Sequence, residues 1–554
     1  MHAPPGLRGE FRTDDVARAL YAEGAGIFRI VPRAVAVPAG ADDLALLVRW
    51  AADQRLPLVP RGAGSGMAGG NVGPGVVVDL SQAFRDPPVI DPAAGTARCG
   101  ASVSYQALNG AAAGFGLRLP PDPSSGAFCT VGGMVATNAS GSHSVKYGAM
   151  RRWVRELEFV TADGELGGTG AQGHGGTEAE PTGRTGAQTH RRTAAEERFE
   201  RDVAPGLRAH AAELAAAVPH TTKNSAGYAL DAYAASGRTA DLLTGSEGTL
   251  ALVTAVEVAL APLPEERSTV LVTLRSLEDV GPAVLALRPF GPSAVELLDR
   301  TYLDFVRGAV QRRIPAGTEA VLLVEFEGDG RGALDAVRGL AETTELADDV
   351  ASVSRLWELR HLASPILASL PDNLRSLQLV EDGCVPVPVL GRYIRALREA
   401  AAAHGFEVVI FGHAGDGHLH ANLLADVSAP DFASRLASCL EAVTGAQLSL
   451  GGTPSGEHGD GRLRAPFLAS TFGEAFAAAC RRTKDAWDPA GILNPGVKLA
   501  ASGAALDAAQ LKVGARAPAL PGGIAAQLRD VERTAAWGVF RLSLAPDPSA
   551  ASRR

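Results

Sequence analysis

Apolar and polar positions fall into two textures along this chain. In the first half, short apolar runs are separated by glycine-rich stretches. Leu56 to Pro60 and Gly75 to Leu80 have the length and β-branched content of strands, and they bracket a stretch with five glycines between Gly62 and Gly70. Before them, Leu44, Leu46, Leu47, Val48 and Trp50 recur at helical spacing within Asp42 to Gln54, and Ala101 to Ala113 reads as a second helix ended by Gly114 and Gly116. Trp153 to Val160 alternates as a strand, and Thr161-Ala162-Asp163-Gly164 turns it into a hairpin. From about Gly167 to Arg192 no periodicity survives, which predicts a mobile insertion in which His174 and His190 have no role.

After Pro262 and Pro264 the texture changes to strands alternating with helices. Thr269 to Leu274 and Ala320 to Glu327 read as strands, and Leu277 to Leu287 and Arg331 to Ala341 as helices. Together they predict an α+β unit with an open sheet. Beyond Leu499 the chain is rich in Ala and Pro, with one helical candidate at Ile524 to Arg533.

Composition narrows the function. With 554 residues, 46% of them hydrophobic and 20% charged, the chain is long enough for two or three domains. A formal charge of -9 argues against a nucleic-acid partner, so an anionic substrate needs a local positive site. The five cysteines form no Cys-x-x-Cys pair, which suits thiols in a reducing cytoplasm. Glu10, Asp14 and Asp15 argue against a signal peptide, and no stretch reaches the roughly 18 to 20 apolar residues of a membrane helix.

Two groups of residues carry chemistry. The glycines of Pro60-Arg61-Gly62-Ala63-Gly64-Ser65-Gly66-Met67-Ala68-Gly69-Gly70 remove side chains from consecutive peptide N–H groups, which suits a pyrophosphate cradle. Taken alone such a stretch is more often a flexible turn, but the flanking strands shape it. No helix pattern follows, which excludes the Rossmann arrangement. In Val408-Val409-Ile410-Phe411-Gly412-His413-Ala414-Gly415-Asp416-Gly417-His418-Leu419-His420-Ala421-Asn422, the Gly-Asp-Gly turn folds one strand onto the next. Period two places His418, His420 and Asn422 on one face, within reach of His413. Glu457 and His458 follow among further glycines. Two imidazoles and a carboxylate suit zinc, manganese or ferrous iron with positions open to a substrate. A lone histidine is usually a hydrogen-bonded interior residue, but here four of twelve lie within 46 positions. Arg360, on a helix, ends either in a solvated salt bridge or in bidentate capture of a substrate carboxylate.

These motifs, with the closing Asp488-Pro489-Ala490-Gly491-Ile492-Leu493-Asn494-Pro495-Gly496, resemble the FAD-dependent 2-hydroxy-acid dehydrogenases of the vanillyl-alcohol oxidase/p-cresol methylhydroxylase superfamily, from about Pro32 to Leu499. The likeness is to D-lactate dehydrogenase, D-2-hydroxyglutarate dehydrogenase and the FAD subunit of glycolate oxidase. It implies an N-terminal segment over 1–31 and a two-subdomain FAD-binding domain of the p-cresol methylhydroxylase type over 32–262. An α+β cap domain with an open antiparallel sheet follows over 263–499, then a tail over 500–554 without assigned function.

The resemblance implies that FAD is held by Pro60, Arg61, Gly62, Ala63, Gly64, Ser65, Gly66, Gly69 and Gly70, and by Pro121, Asp122, Thr130, Gly132, Gly133, Ala136, Thr137, Asn138, Ser140 and Gly141. Tyr147, Gly148, Glu247, Gly248, Val253 and Asn494 complete that set. It implies a metal, zinc first, on His413, His420 and Glu457, with Arg360, Asn422 and His458 meeting a small 2-hydroxy acid. His458, with an ordinary pKa near 6.5, takes the hydroxyl proton as hydride passes to the flavin. No histidine stands in the loop from Arg61 to Gly70, so the flavin is expected to be dissociable.

Three features depart from the pattern. The lysine used by the 2-hydroxyglutarate enzymes near Leu379-Val380-Glu381-Asp382 is missing, and His418 stands where relatives carry Asn. There is also no cysteine-rich iron–sulfur module. Electrons then leave to an external acceptor, whether a quinone, an electron-transfer flavoprotein, a cytochrome, dioxygen or a separate iron–sulfur subunit. A cytoplasmic protein, peripheral at most to the membrane's inner face, and a homodimer are compatible with this reading. The rivals are a non-catalytic FAD subunit of a larger complex and a flavin transferase of the ether-lipid synthase type.

Overall fold

The computed structural model describes residues 1–170, 192–309, 314–368, 370–371, 373–500 and 506–545. The first half holds two sheets. Val76–Asp79 pairs in parallel with both Ala34–Val37 and Leu58–Arg61, while Glu10–Arg12 adds an antiparallel edge. The expected N-terminal segment therefore contributes a strand to this sheet. The helix Ala41–Gln54 buries Leu44, Leu47 and Val48 against Leu58 and Val76, fixing the strands on either side of the glycine loop.

The second sheet runs in the order Val89–Asp91, Thr96–Gly100, Ala251–Ala259, Val154–Thr161, Leu166–Gly168. The hairpin after Val154–Thr161 thus extends into the region read as insertion, because Gly167 and Gly168 still pair with Phe159 and Glu158. Residues 171–191 of that region, His174 and His190 included, lie outside the described residues. The helix expected from Ala101 starts at Tyr105, where the Ser104 side chain accepts from Ala107 N and caps it. Among the helices that escaped the sequence pattern is Val131–Thr137, capped by Thr130 and closed by Asn138 in the left-handed conformation. Its glycines hide the helical signal, and one of them permits contact, since a Cβ on Gly132 would lie 2.7 Å from that of Ala101.

The second half is built on an antiparallel sheet in the order Thr343–Ala347, Ser268–Leu274, Ala320–Phe326, Ala294–Asp299, Glu407–His413, His418–Asp426, Leu374–Leu377. Period two divides its residues between two layers. Val270, Val272, Leu297 and Leu322 face the helices Val280–Leu287 and Leu390–Ala403, while Leu271, Leu298, Leu323 and Val409 face Val350–His361. The helix expected to run from Arg331 to Ala341 stops at Val337. The α+β architecture and the open sheet are as the pattern predicted, and the sheet is antiparallel as the resemblance implied.

A half-buried histidine fastens the two halves. His143 Nδ1 lies 2.5 Å from Asp122 in the first half, and Nε2 lies 2.9 Å from Glu325 on Ala320–Phe326. Burial alone would depress its pKa, but Asp122 and Glu325 outweigh it and lift the group from 6.5 to about 10. A folded pKa above the unfolded one gives stability that is complete below about pH 6.5 and lost as pH rises through about 10. His143→Gln is expected to cost roughly 3 kcal/mol near pH 6, the scale of a broken buried pair. Denaturant melts of wild type and variant should converge towards pH 10; a pH-independent gap would rule out the charged bridge.

Candidate active site

The strands Glu407–His413 and His418–Asp426 form the predicted hairpin, in the register His413 opposite His418 and Phe411 opposite His420. His413 Nδ1 lies 2.5 Å from Glu296 Oε1, and His420 Nδ1 lies 2.9 Å from the Glu381 carbonyl. Both acceptors demand a proton on Nδ1, which leaves each Nε2 as a lone-pair donor. Those two nitrogens are 3.2 Å apart, and Glu457 Oε1 lies 3.5 Å and 3.6 Å from them. Ligands about 2.1 Å from a tetrahedral cation stand about 3.4 Å from one another, so three electron-pair donors at these spacings fit a divalent ion.

Glu457 is oriented by its other oxygen. Oε2 accepts from Lys223 Nζ at 2.8 Å and from Ser140 Oγ at 2.7 Å. Burial would raise this carboxyl, but Lys223 and then His413 hold it well below its ordinary value. Lys223 was not anticipated from sequence; the one signal was a lysine directly before Asn224-Ser225-Ala226-Gly227-Tyr228, in a segment that is otherwise buried. Glu296, also missed, showed itself only as a carboxylate among the apolar interior residues of the strand Ala294–Asp299.

The third imidazole, His418, falls within the same cluster, whose donor atoms all lie within 4.8 Å of one another. Its Nε2 is 3.0 Å from Asp382, however, and its Nδ1 faces Lys223 Nζ at 3.5 Å. Its lone pair is therefore engaged by an ammonium, unlike those of His413 and His420.

His458 stands beside the cluster with Nε2 3.5 Å from Glu457 Oε1 and Nδ1 3.0 Å from Glu381 Oε1. Arg464 holds the second oxygen of Glu381 at 2.7 Å, and Asp382 accepts from the backbone N–H groups of Glu457 and His458. The expectation of an ordinary imidazole is corrected here. Burial would lower His458, but Asp382 and Glu381 outweigh it and lift the group to about 9.

Arg360 is half-buried and already partnered through one nitrogen. Its Nε donates to Glu296 at 2.7 Å and its Cζ stacks 4.4 Å from the Phe411 ring centroid, so Glu296 joins it to His413. Asn422 is 1% exposed, and its Oδ1 has no hydrogen-bond partner.

A cleft of about 430 Å³ connects this group to the glycine loop. Pro60, Arg61, Gly62, Ala63, Gly64, Ser65, Gly66, Gly70, Thr130, Gly132, Gly133, Ala136, Thr137, Ser140, Glu247, Gly248 and Val253 line it, as do Glu457 and His458. Other residues of the expected cofactor set stand behind the wall. Asn494 Nδ2 donates to the carbonyls of Gly70 and Glu247, and Asn138 Oδ1 accepts from Arg151 N. Asp122 binds His143, while Tyr147 donates to Glu327, with Gly148 following it at positive φ. Pro121 and Gly141 lie behind the lining, where a Cβ on Gly141 would fall 2.2 Å from the Asp122 carbonyl, and Gly69 turns at φ 80° against Phe28. These residues shape the cleft without lining it.

Residues 32–170 match the FAD binding domain family, and residues 263–497 match the C-terminal domain of FAD linked oxidases. The chain belongs to these FAD linked oxidases, an oxidoreductase family. It is 28% identical over 480 residues to glycolate oxidase subunit GlcD of Bacillus subtilis, covering 85% of this chain and 89% of that one. It is 29% identical over 480 residues to a D-lactate dehydrogenase of Archaeoglobus fulgidus, covering 84% and 92%. Among solved structures, 4-ethylphenol oxidase from Gulosibacter chungangensis superposes with a TM-score of 0.59 at 16% identity, over 89% of this chain and 94% of that one. That likeness is one of fold.

Proposed function

We propose that this protein oxidises a small D-2-hydroxy acid, of the lactate, glycolate or 2-hydroxyglutarate type, to the 2-oxo acid. The reading takes residues 32–262 as the cofactor domain and 263–499 as the substrate domain. The observation that carries it is the convergence of His413 Nε2, His420 Nε2 and Glu457 Oε1 beside His458, with Glu457 and His458 on the wall of the cleft that the glycine loop also lines. When bound, FAD supplies the acceptor for two electrons and the C2 hydrogen, and a divalent ion, zinc first, supplies Lewis acidity.

The chain's own residues do the rest. His413, His420 and Glu457 hold the ion, with Glu296, the Glu381 carbonyl and Lys223 orienting them. His458, steered through Nδ1 by Glu381, receives the hydroxyl proton on Nε2. Its raised pKa means that it must first be deprotonated. Asn422 keeps an acceptor for the substrate. Arg360 offers the substrate carboxylate its terminal nitrogens, since its Nε is committed to Glu296.

Electrons pass on to an external acceptor. All five cysteines are buried and free, which suits a reducing cytoplasm, and no described helix is long and apolar enough to cross a membrane.

The test is anaerobic mixing of metal-loaded protein with a panel of D- and L-2-hydroxy acids, following the flavin absorbance. Bleaching by a D-acid is expected; a flavin that no member of the panel bleaches would overturn the proposal. Because the loop 61–70 holds no histidine, the flavin should also be non-covalent. Acid precipitation should leave a colourless pellet and a yellow supernatant.

A further inference from the structure

The match to the oxidase families ends at residue 497, yet the following chain returns to the cleft. Leu511 pairs with Phe28, and the helix Gly522–Arg533 packs Ile524 and Leu528 into a core shared with Leu20 and Tyr21. Glu532 and Trp537 then form part of the cleft wall. Glu532 is anchored from two sides, accepting from Arg375 of the antiparallel sheet and from Lys512, each at 2.7 Å. Gly538 lies against Phe128, another residue of the wall, with room for a Cβ only 3.2 Å away.

The same segment carries a buried charge that its surroundings leave without a hydrogen bond. Arg541 is 2% exposed, and none of its three guanidinium nitrogens has a hydrogen-bond partner. Its Cζ lies 5.4 Å from the Trp537 ring centroid. Arg61 is close enough to repel it: burial first, and Arg61 next, hold Arg541 down to about 9. Arg61 uses Nη1 on the Glu23 carbonyl, but its Nη2 is also without a partner and sits directly behind the loop, 2.5 Å from where a Cβ on Gly64 would stand. Asp79 and Glu23 attract both groups, but Glu23 also pairs with Arg29 at 2.5 Å, so three guanidinium groups share two carboxylates and a further anion would compensate the excess charge. The dinucleotide diphosphate is the anion that a glycine loop of this kind receives.

We infer that residues 522–545 are a clasp for FAD, with Trp537 as a wall of the cofactor cleft and Arg541 as a second positive charge behind the glycine loop. The inference rests on FAD occupying that cleft. It assigns a role to a segment outside the matched families and makes FAD affinity depend on it.

The test is titration of apo-protein with FAD, read by flavin fluorescence, for the full chain and for Trp537→Ala and Arg541→Met. Trp537 is partly exposed, so its variant should fold. The Kd for FAD is expected to rise about tenfold or more in each, the scale of one lost aromatic wall or one lost charge. Arg541→Met should also melt, as apo-protein, at the wild-type temperature or above, because it removes a buried guanidinium without hydrogen bonds from a site where cations outnumber carboxylates. A purely structural arginine would lower that temperature. Binding of FAD within twofold of wild type in both variants would overturn the clasp. Failure of the wild-type chain to bind FAD would instead overturn the reading of the cleft.

Discussion

Glu457→Gln is expected to empty the metal site and lower turnover by about 10³-fold or more while FAD stays bound. The size of the effect follows from how the carboxylate is held. Oε2 receives hydrogen bonds from Lys223 and Ser140, so an amide at this position must turn its carbonyl oxygen towards them. Its NH₂ group then points at the two imidazoles, where Glu457 Oε1 had stood 3.5 Å and 3.6 Å from their Nε2 atoms. A third electron-pair donor becomes a proton donor, and no cation can replace it. The variant also leaves Lys223 without its nearest counter-charge, so a drop in melting temperature should accompany the loss. Adding Lys223→Met should recover stability without recovering metal. Metal-to-protein ratio by elemental analysis after gel filtration is the deciding measurement, with the flavin absorbance as control. Full metal content in the single variant would refute the ligand assignment.

His458→Ala should lower kcat by roughly 10²- to 10⁴-fold, the range of a lost general base, with both FAD and metal retained. The imidazole is not a ligand in this reading, because it lies outside the group of donor atoms that His413, His418, His420 and Glu457 bring together. Removing it leaves His413, His420 and Glu457 with their own partners intact. Glu381→Gln should fall between wild type and His458→Ala, since the ring would keep its proton acceptor atom but lose the carboxylate that steers it. Single-turnover flavin reduction separates this chemistry from substrate binding. Reduction at the wild-type rate in His458→Ala would remove the residue from the role.

The sequence by itself determined what depends on local pattern. Period-two runs around the Gly-Asp-Gly turn place His418, His420 and Asn422 on one face of a strand with His413 opposite, and the structure has that register. The glycine loop was legible for the same reason, since strands pinned both its ends. Where glycines crowd a segment the local signal fails, which is why the helix Val131–Thr137 was invisible, while the late start at Tyr105 is set by the Ser104 cap.

Only the tertiary structure decided which buried charges meet. Lys223 reaches Glu457 across 234 positions, Glu296 reaches His413 across 117, and neither partner announces the other in its own neighbourhood. Those meetings change the chemistry. They take the His418 lone pair towards an ammonium, lift His458 to about 9, and turn Arg360 from a free cation into a partner of Glu296. They also bring Trp537 and Arg541, more than forty positions past the last family motif, back to the loop from Arg61 to Gly70. Periodicity specifies which face of an element is buried; it carries no information on what distant group will lie against that face, and in a buried site that neighbour sets the charge.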